Sequence, residues 1–310
     1  MMKNKKSYHL KLALCLLAGF STLTVLSSCS SSPSSTTPAA ANSSSNPNTI
    51  SIIENIYYVD GNLGSDSNPG SEAKPWQTIE KATNMISAGD TVKVLGGTYP
   101  ERVKVEGSGL SFIAQGVVNM QGFEVTGNNN LVRGFTIQNP NNNSGLRVSG
   151  NFNIFENNDI SNTLQDGVWF FGHDNIFRHN YIHDIWQGAG SNTDPHVDCF
   201  QTWSWNWETY NILFEGNICN HTRASGSNQI VMISGDTSRE VKDIIFRNNI
   251  FIMHDTGYSP LAVYGSVSGV KVYNNTFYNT TEEGDAAVYM LEANNCHIAN
   301  NVSIGYSQIA

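Results

Sequence analysis

The chain has 310 residues, with 17 Lys and Arg against 26 Asp and Glu, a formal net charge of −9. Four cations, Lys3, Lys5, Lys6 and Lys11, open the chain; beyond them 13 basic groups face 26 acidic ones, near −13. That sign argues against a nucleic-acid partner, whose phosphates need a basic footprint. It admits an anionic substrate only where a local basic cluster or a bound cation offsets the field.

After the four lysines comes a short apolar run, Leu12 to Phe20. It is too short to span a bilayer and reads as the core of an export signal. Leu26-Ser27-Ser28-Cys29 resembles the lipobox of bacterial lipoproteins. The resemblance implies cleavage before Cys29 and lipidation of its thiol. The protein would then sit at the bacterial cell envelope, on the outer membrane or cell surface, meeting the membrane only through that lipid. An ordinary signal peptide with a chance cysteine is the alternative. Residues 30–48 are Ser, Thr, Pro, Ala and Asn, cannot bury a core, and read as a tether. The domain plan is signal 1–28, tether 29–50, N-terminal cap and first coils 51–120, and repeats 121–310.

Between residues 56 and 103 the spacing of Trp76, Ile79, Ala82 and Ile86 predicts one short amphipathic helix. Thr91 to Leu95 reads as a strand. Such a helix can cover an open first coil, whose edge would otherwise template aggregation. This segment resembles the leading segment of secreted β-helix proteins of the pectate-lyase type.

From Gln121 to Ala310 one pattern recurs seven times: apolar strand, turn, apolar strand, Asn, third strand. GLRVSGNFNIFENNDI (145–160) and LAVYGSVSGVKVYNNTF (261–277) are clear copies. A repeat of this length means a stacked architecture. The marker residues Asn158, Asn180, Asn217, Asn249, Asn275 and Asn301 are 22, 37, 32, 26 and 26 residues apart. Three short strands fill roughly 20 residues, so the longer units carry loops. The expected fold is all-β, a single-stranded right-handed parallel β-helix (a solenoid) with a short N-terminal capping helix. Stacked coils would turn the marker amides into an internal ladder. Arg133, Glu156, Arg178, Glu215 and Arg247 would form a surface ladder of alternating sign that favours this register. Cys199, Cys219 and Cys296 read as buried thiols, with a Cys199–Cys219 bridge as the alternative. The chain stops straight after the seventh coil without a polar cap, which reads as a fragment or as an end covered by a partner. The protein is otherwise taken as a monomer.

Chemistry is expected where the repeat breaks, in HDIWQGAGSNTDPHVD (183–198) and CNHTRASGSNQ (219–229). Both insertions occupy the same turn and should project side by side. They bring together His183, Asp184, Trp186, Asp194, His196, Asp198, His221 and Arg223. On the facing strands lie Arg147, Trp169, Phe171, Gln201 and Trp203, with the aromatics expected to point outward. Outward aromatics suit the apolar faces of sugar rings; a loop folding over and burying them is the alternative. Register sets Asp166 beside Asp198. That pair can bind Ca²⁺, act as acid and base in glycoside hydrolysis, or cap turns through backbone N–H groups.

Asp194-Pro195-His196-Val197-Asp198 is similar to the Asp-Pro-His-Asp signature of alginate C5-epimerases, with Val197 before the second Asp. The likeness implies an active site at Asp194 and His196. Asn192-Thr193-Asp194 also resembles the first motif of polygalacturonase-type hydrolases, without that family's other motifs. Lyases and epimerases both begin by removing the proton beside a uronate carboxylate, whose charge must be offset as the enolate forms. His196 can be the base. Arg223, Arg147 and Gln201 can serve the carboxylate, and Tyr181 or His221 can be the acid. The expected catalytic group is thus His196, Asp194, Asp198 and Arg223, and the expected substrate contacts are Arg147, Trp169, Gln201, Trp203 and His221. The partner is an acidic polysaccharide; the alternatives are a glycoside hydrolase or a non-catalytic glycan-binding surface protein.

Overall fold

The computed structural model describes residues 54–138, 143–185, 197–204, 206, 208–221, 229–254, 259–281 and 284–310. The export segment, the tether, Cys29, Trp186, Asp194, His196 and Arg223 lie outside the described residues.

Three parallel ladders run along the chain, and each repeat adds one rung to each. Sheet A passes from the end of Ser111–Val125 through Leu146–Val148, Val168–Phe170, Phe200–Trp203, Val231–Gly235 and Leu261–Gly265 to Val288–Leu291. Sheet B contains Leu131–Arg133, Ile154–Glu156, Ile176–Arg178, Thr209–Glu215, Val241–Arg247, Lys271–Tyr273 and His297–Ala299. Sheet C contains Thr136–Gln138, Asp159–Ser161, Tyr181–His183, Ile218–His221, Ile250–Met253, Thr276–Asn279 and Val302–Ile304. Seven rungs per ladder match the seven repeats, and the architecture is the expected parallel β-helix.

Period-two alternation turns one residue of each short strand inward. On sheet B the inward column is Val132, Phe155, Phe177, Phe214, Phe246 and Val272, all fully buried. Its four phenylalanines stack face to face, with successive centroids 5.0, 5.0 and 4.7 Å apart. Offset stacks of this kind add to the area that each ring buries.

The marker asparagines form the expected ladder. From Asn158 to Asn275, each backbone N–H and side-chain amide donates to the next coil's Asn Oδ1 at 2.8–3.1 Å. Each side-chain amide also donates to a main-chain carbonyl, as Asn217 does to Phe177 at 2.9 Å. The residue just before each marker is Asn157, His179, Gly216, Asn248, Asn274 or Asn300, all with φ between 55° and 64°. That region favours Gly and Asn. The repeated Asn-Asn pairs therefore do two jobs, the first turning the chain and the second joining the coils. A shorter ladder, Asn130–Asn153–Asn175, follows the corner between sheets A and B.

The charge column also stacks in the expected order. Arg133 and Arg178 both bond Glu156, the latter at 2.5 Å, and Arg247 pairs with Glu215 at 2.7 Å. Glu156 departs from a surface ladder, because its flanking guanidiniums bury it.

At the N-terminal end the helix is Ile79–Met85, shorter than the spacing from Trp76 suggests. Thr78 caps it by accepting the N–H of Lys81, and the Glu101 carboxylate accepts the N–H groups of Ile79 and Glu80. Trp76 instead bridges Val59 in extended backbone and donates its indole N–H to the carbonyl of Asn68. The strand expected at Thr91–Leu95 continues to Val105.

Candidate functional site

Sheet A carries the outward column that the insertions border. Lys104, Glu124, Arg147, Trp169, Gln201 and Met232 occupy successive rungs. Trp169 and Gln201 lie side by side as expected, but the aromatic surface is less open than expected. Trp169 and Trp203 are half-buried and meet edge to face at 5.6 Å. Phe171 is buried against Trp203, since the strand ends at Phe170 and the left-handed Gly172 turns the chain inward. Gln201 is 8 % exposed and its amide reaches the Met232 sulfur at 3.5 Å.

The end of the first insertion is fixed in three ways. Asp166 Oδ1 accepts the backbone N–H of Asp198 at 2.5 Å, and Gly167 donates its N–H to the Asp198 carbonyl at 2.8 Å. The fully buried His221 places Nε2 2.9 Å from the Val197 carbonyl, which requires the proton on that nitrogen. Cys199 and Cys219 form a disulfide. Of the readings of Asp166, the cap is the geometry seen, and its second oxygen accepts the indole N–H of Trp169.

These contacts change three expectations. His221 is buried among the coils and holds the peptide after His196, away from the outward face where a substrate contact was expected. Asp166 and Asp198 are 2 % and 0 % exposed, so the exposed carboxylate pair of the hydrolase reading is not formed. Calcium fits this pair poorly. It takes six to eight oxygens, both Asp166 oxygens are engaged, and no group of three or more His, Cys, Asp or Glu among the described residues could hold a metal.

Two further residues escaped the sequence reading. Arg102 and Lys104 project from the same side of Thr91–Val105 as it enters sheet A, in register with Gly122 and Glu124. Arg102 Nη1 donates to the Ser144 carbonyl at 2.5 Å; Nε and Nη2 are buried and have no hydrogen-bond partner among the described residues. Burial lowers the Arg102 pKa to about 10; Glu124 works against the fall and Arg147 adds to it. The group remains a cation at neutral pH. The alternation in Arg102-Val103-Lys104-Val105 carried the signal, but the stacking partner of this strand lies 20 residues on.

His183 joins Asp184 at 2.8 Å and Asp159 at 3.0 Å and stacks on Tyr181 at 4.2 Å, at the edge of sheet C. His183 thus ends the strand Tyr181–His183, just before the left-handed Asp184.

Residues 62–107 match a family model described as a protein of unknown function, DUF1565. No curated protein matches the sequence. Among solved structures, the pectate lyase Pel9A superposes with a TM-score of 0.54 at 17 % identity, over 80 % of this chain and 78 % of that one. XylC in complex with xylose gives a TM-score of 0.60 at 13 % identity, over 82 % and 68 %. A mannuronic acid specific polysaccharide family 6 lyase from human gut microbiota gives 0.56 at 15 %, over 81 % and 59 %. What these proteins share with the chain is the fold, a parallel β-helix.

Proposed function

We propose that the chain acts on a uronate-containing polysaccharide by removing the proton beside the carboxylate, as a lyase or a C5-epimerase. The observation that carries the reading is the outer face of sheet A. Lys104 and Arg147 stand on the column that leads to Trp169 and Gln201, and the desolvated guanidinium of Arg102, two residues before Lys104 on the same strand face, adds its charge beside them. A protein near −13 overall thus gathers Arg102, Lys104 and Arg147 on the first rungs of sheet A, around Glu124, with Arg147 two rungs from Gln201. Arginine's planar fork suits a carboxylate better than an ammonium does.

In this reading His196 takes the C5 proton and the carbanion's charge passes to the uronate carboxylate served by Arg147, Arg223 and Gln201. A lyase expels the glycosidic oxygen from C4, leaving a C4–C5 double bond; an epimerase returns a proton to the opposite face. Asp194 carries over with His196 as an active-site residue through the Asp-Pro-His likeness. Asp166, His221 and the disulfide supply rigidity by anchoring residues 197–199, which follow His196 directly. The fold of the lyases that superpose well is consistent with this chemistry. Lipid anchoring through Cys29 would place the site at the cell envelope.

The test is a panel of alginate, polygalacturonate and glycosaminoglycans, incubated with wild type and His196→Ala, with and without EDTA. A lyase gives the ultraviolet absorbance of an unsaturated product; an epimerase changes the uronate ratio by NMR without it. Equal turnover by both proteins rejects the site. Reducing ends without unsaturation point to hydrolysis, and binding without turnover points to a glycan-binding surface protein.

A further inference from the structure

At the corner between sheets A and B, one residue per coil takes a left-handed backbone. The column is Asn129, Phe152, Asp174, Asn211, Asp243, Gly269 and Asn295, with φ between 52° and 70°. Its register follows from the pairings of the residues alongside. Six positions hold Asn, Asp or Gly, which tolerate this conformation. Phe152 does not, because a bulky side chain at positive φ is strained. Nor does its ring gain burial in return, since it is 50 % exposed.

The ring begins a surface ladder. His173 meets Phe152 edge to face at 5.2 Å and stacks on Tyr210 at 4.6 Å and 9°. The Lys242 ammonium sits 6.0 Å from the Tyr210 ring. Beside Tyr210 opens a cleft of about 590 Å³ lined by Glu208, Ser238, Arg239, Glu240 and Lys242. Lys242 pairs with Glu240 at 3.0 Å, and Arg239 forms no ion pair among the described residues. Flat rings in line with mixed polar groups of both signs fit a ligand that has apolar ring faces and hydroxyl edges.

We propose that this corner is a carbohydrate-binding strip, separate from the outer face of sheet A, that holds a glycan chain along the axis of the coils. Phe152 offers an exposed ring, and about 10 Å on, two inter-strand spacings, Tyr210, held between His173 and Lys242, offers its edge and hydroxyl beside the cleft. Arg239, Lys242 and Glu208 take the hydroxyls. The strained backbone at Phe152 is retained for that contact, as strain at binding sites commonly is. The strip rests on the proposed function only for the class of ligand.

Affinity electrophoresis in gels containing alginate, polygalacturonate or xylan, paired with thermal denaturation, tests the strip. Phe152→Asn restores the residue type of its column. It should raise Tm by about 2–4 °C as strain is relieved, while weakening retardation about tenfold, a typical loss for a hot-spot ring. Tyr210→Ala should weaken retardation similarly. A stability gain with lost binding is an outcome that a packing role for Phe152 does not give. Unchanged retardation in both variants, or a wild type retarded by none of the polymers, overturns the strip. His196→Ala should keep full retardation and lose turnover, so failure of the strip and failure of the sheet A site are told apart.

Discussion

The carboxylate of Asp166 accepts the backbone N–H of Asp198, the next coil's residue in the same column, at 2.5 Å. One buried acid thus ends the largest insertion in the repeat array and fixes the peptide that follows His196. Asp166→Asn keeps an acceptor for the Asp198 amide, gives up the one for the Trp169 indole, and should cost less than Asp166→Ala. Asp166→Ala strands the amide and should cost about 1–3 kcal/mol. Amide hydrogen exchange at Asp198 should respond to Ala and scarcely to Asn, and thermal melting should fall further for Ala than for Asn.

Removing the disulfide should act on the same segment. A Cys199–Cys219 crosslink spans 20 residues, and loss of such a loop constraint costs about 2–4 kcal/mol. Cys199→Ala with Cys219→Ala should lower the urea midpoint accordingly. If turnover of the polysaccharide is found, it should fall more steeply than stability alone explains, because His196 precedes the released residues.

The internal ladder predicts a position effect. Asn217 is fully buried, receives two hydrogen bonds from Asn180 and donates to Phe177 and Asn249. Asn217→Ala leaves several buried groups unsatisfied and should cost about 3–5 kcal/mol. Asn301, at the last rung and half-buried, should cost clearly less. Chemical denaturation of the two variants makes the comparison.

Acid stability has a named contributor in Glu156. Burial alone would raise its pKa, but Arg178 and Arg133 outweigh burial and hold it below the usual carboxylate value. A depressed folded-state pKa gives stabilisation that is complete above the ordinary Glu value of about 4.3. It is lost as pH falls through the lower folded value. Melting temperature against pH should therefore drop on the acid side less steeply for Glu156→Gln. At neutral pH that variant should be about 1–2 kcal/mol less stable.

Arg102 separates function from stability. Its guanidinium is desolvated and incompletely bonded, so Arg102→Gln should leave stability unchanged or raised. Apparent affinity for a uronate polymer should fall about tenfold, the equivalent of 1.4 kcal/mol. Unchanged affinity would remove the cationic site from the outer face of sheet A.

Repetition made the fold legible. Each coil restates the same strand pattern, and the marker asparagines and alternating charges set a register that can be checked six times over. Hence the ladder from Asn158 to Asn301 and the order Arg133, Glu156, Arg178, Glu215, Arg247 were readable before any coordinates. The site was legible only in part. Trp169 beside Gln201 and Asp166 beside Asp198 follow from register, but register does not say whether a group meets solvent or the next coil.

Only the tertiary structure decided that. It turned Asp166 onto a backbone amide, sank His221 beneath Val197, buried Phe171, and drew Arg102 and Lys104 from a strand far upstream to the start of sheet A, with Lys104 heading the column. Periodicity along a chain encodes which residues share a column. Exposure and protonation depend on the loops that cover each column and on neighbours 20 or more residues away, and local pattern carries no record of either.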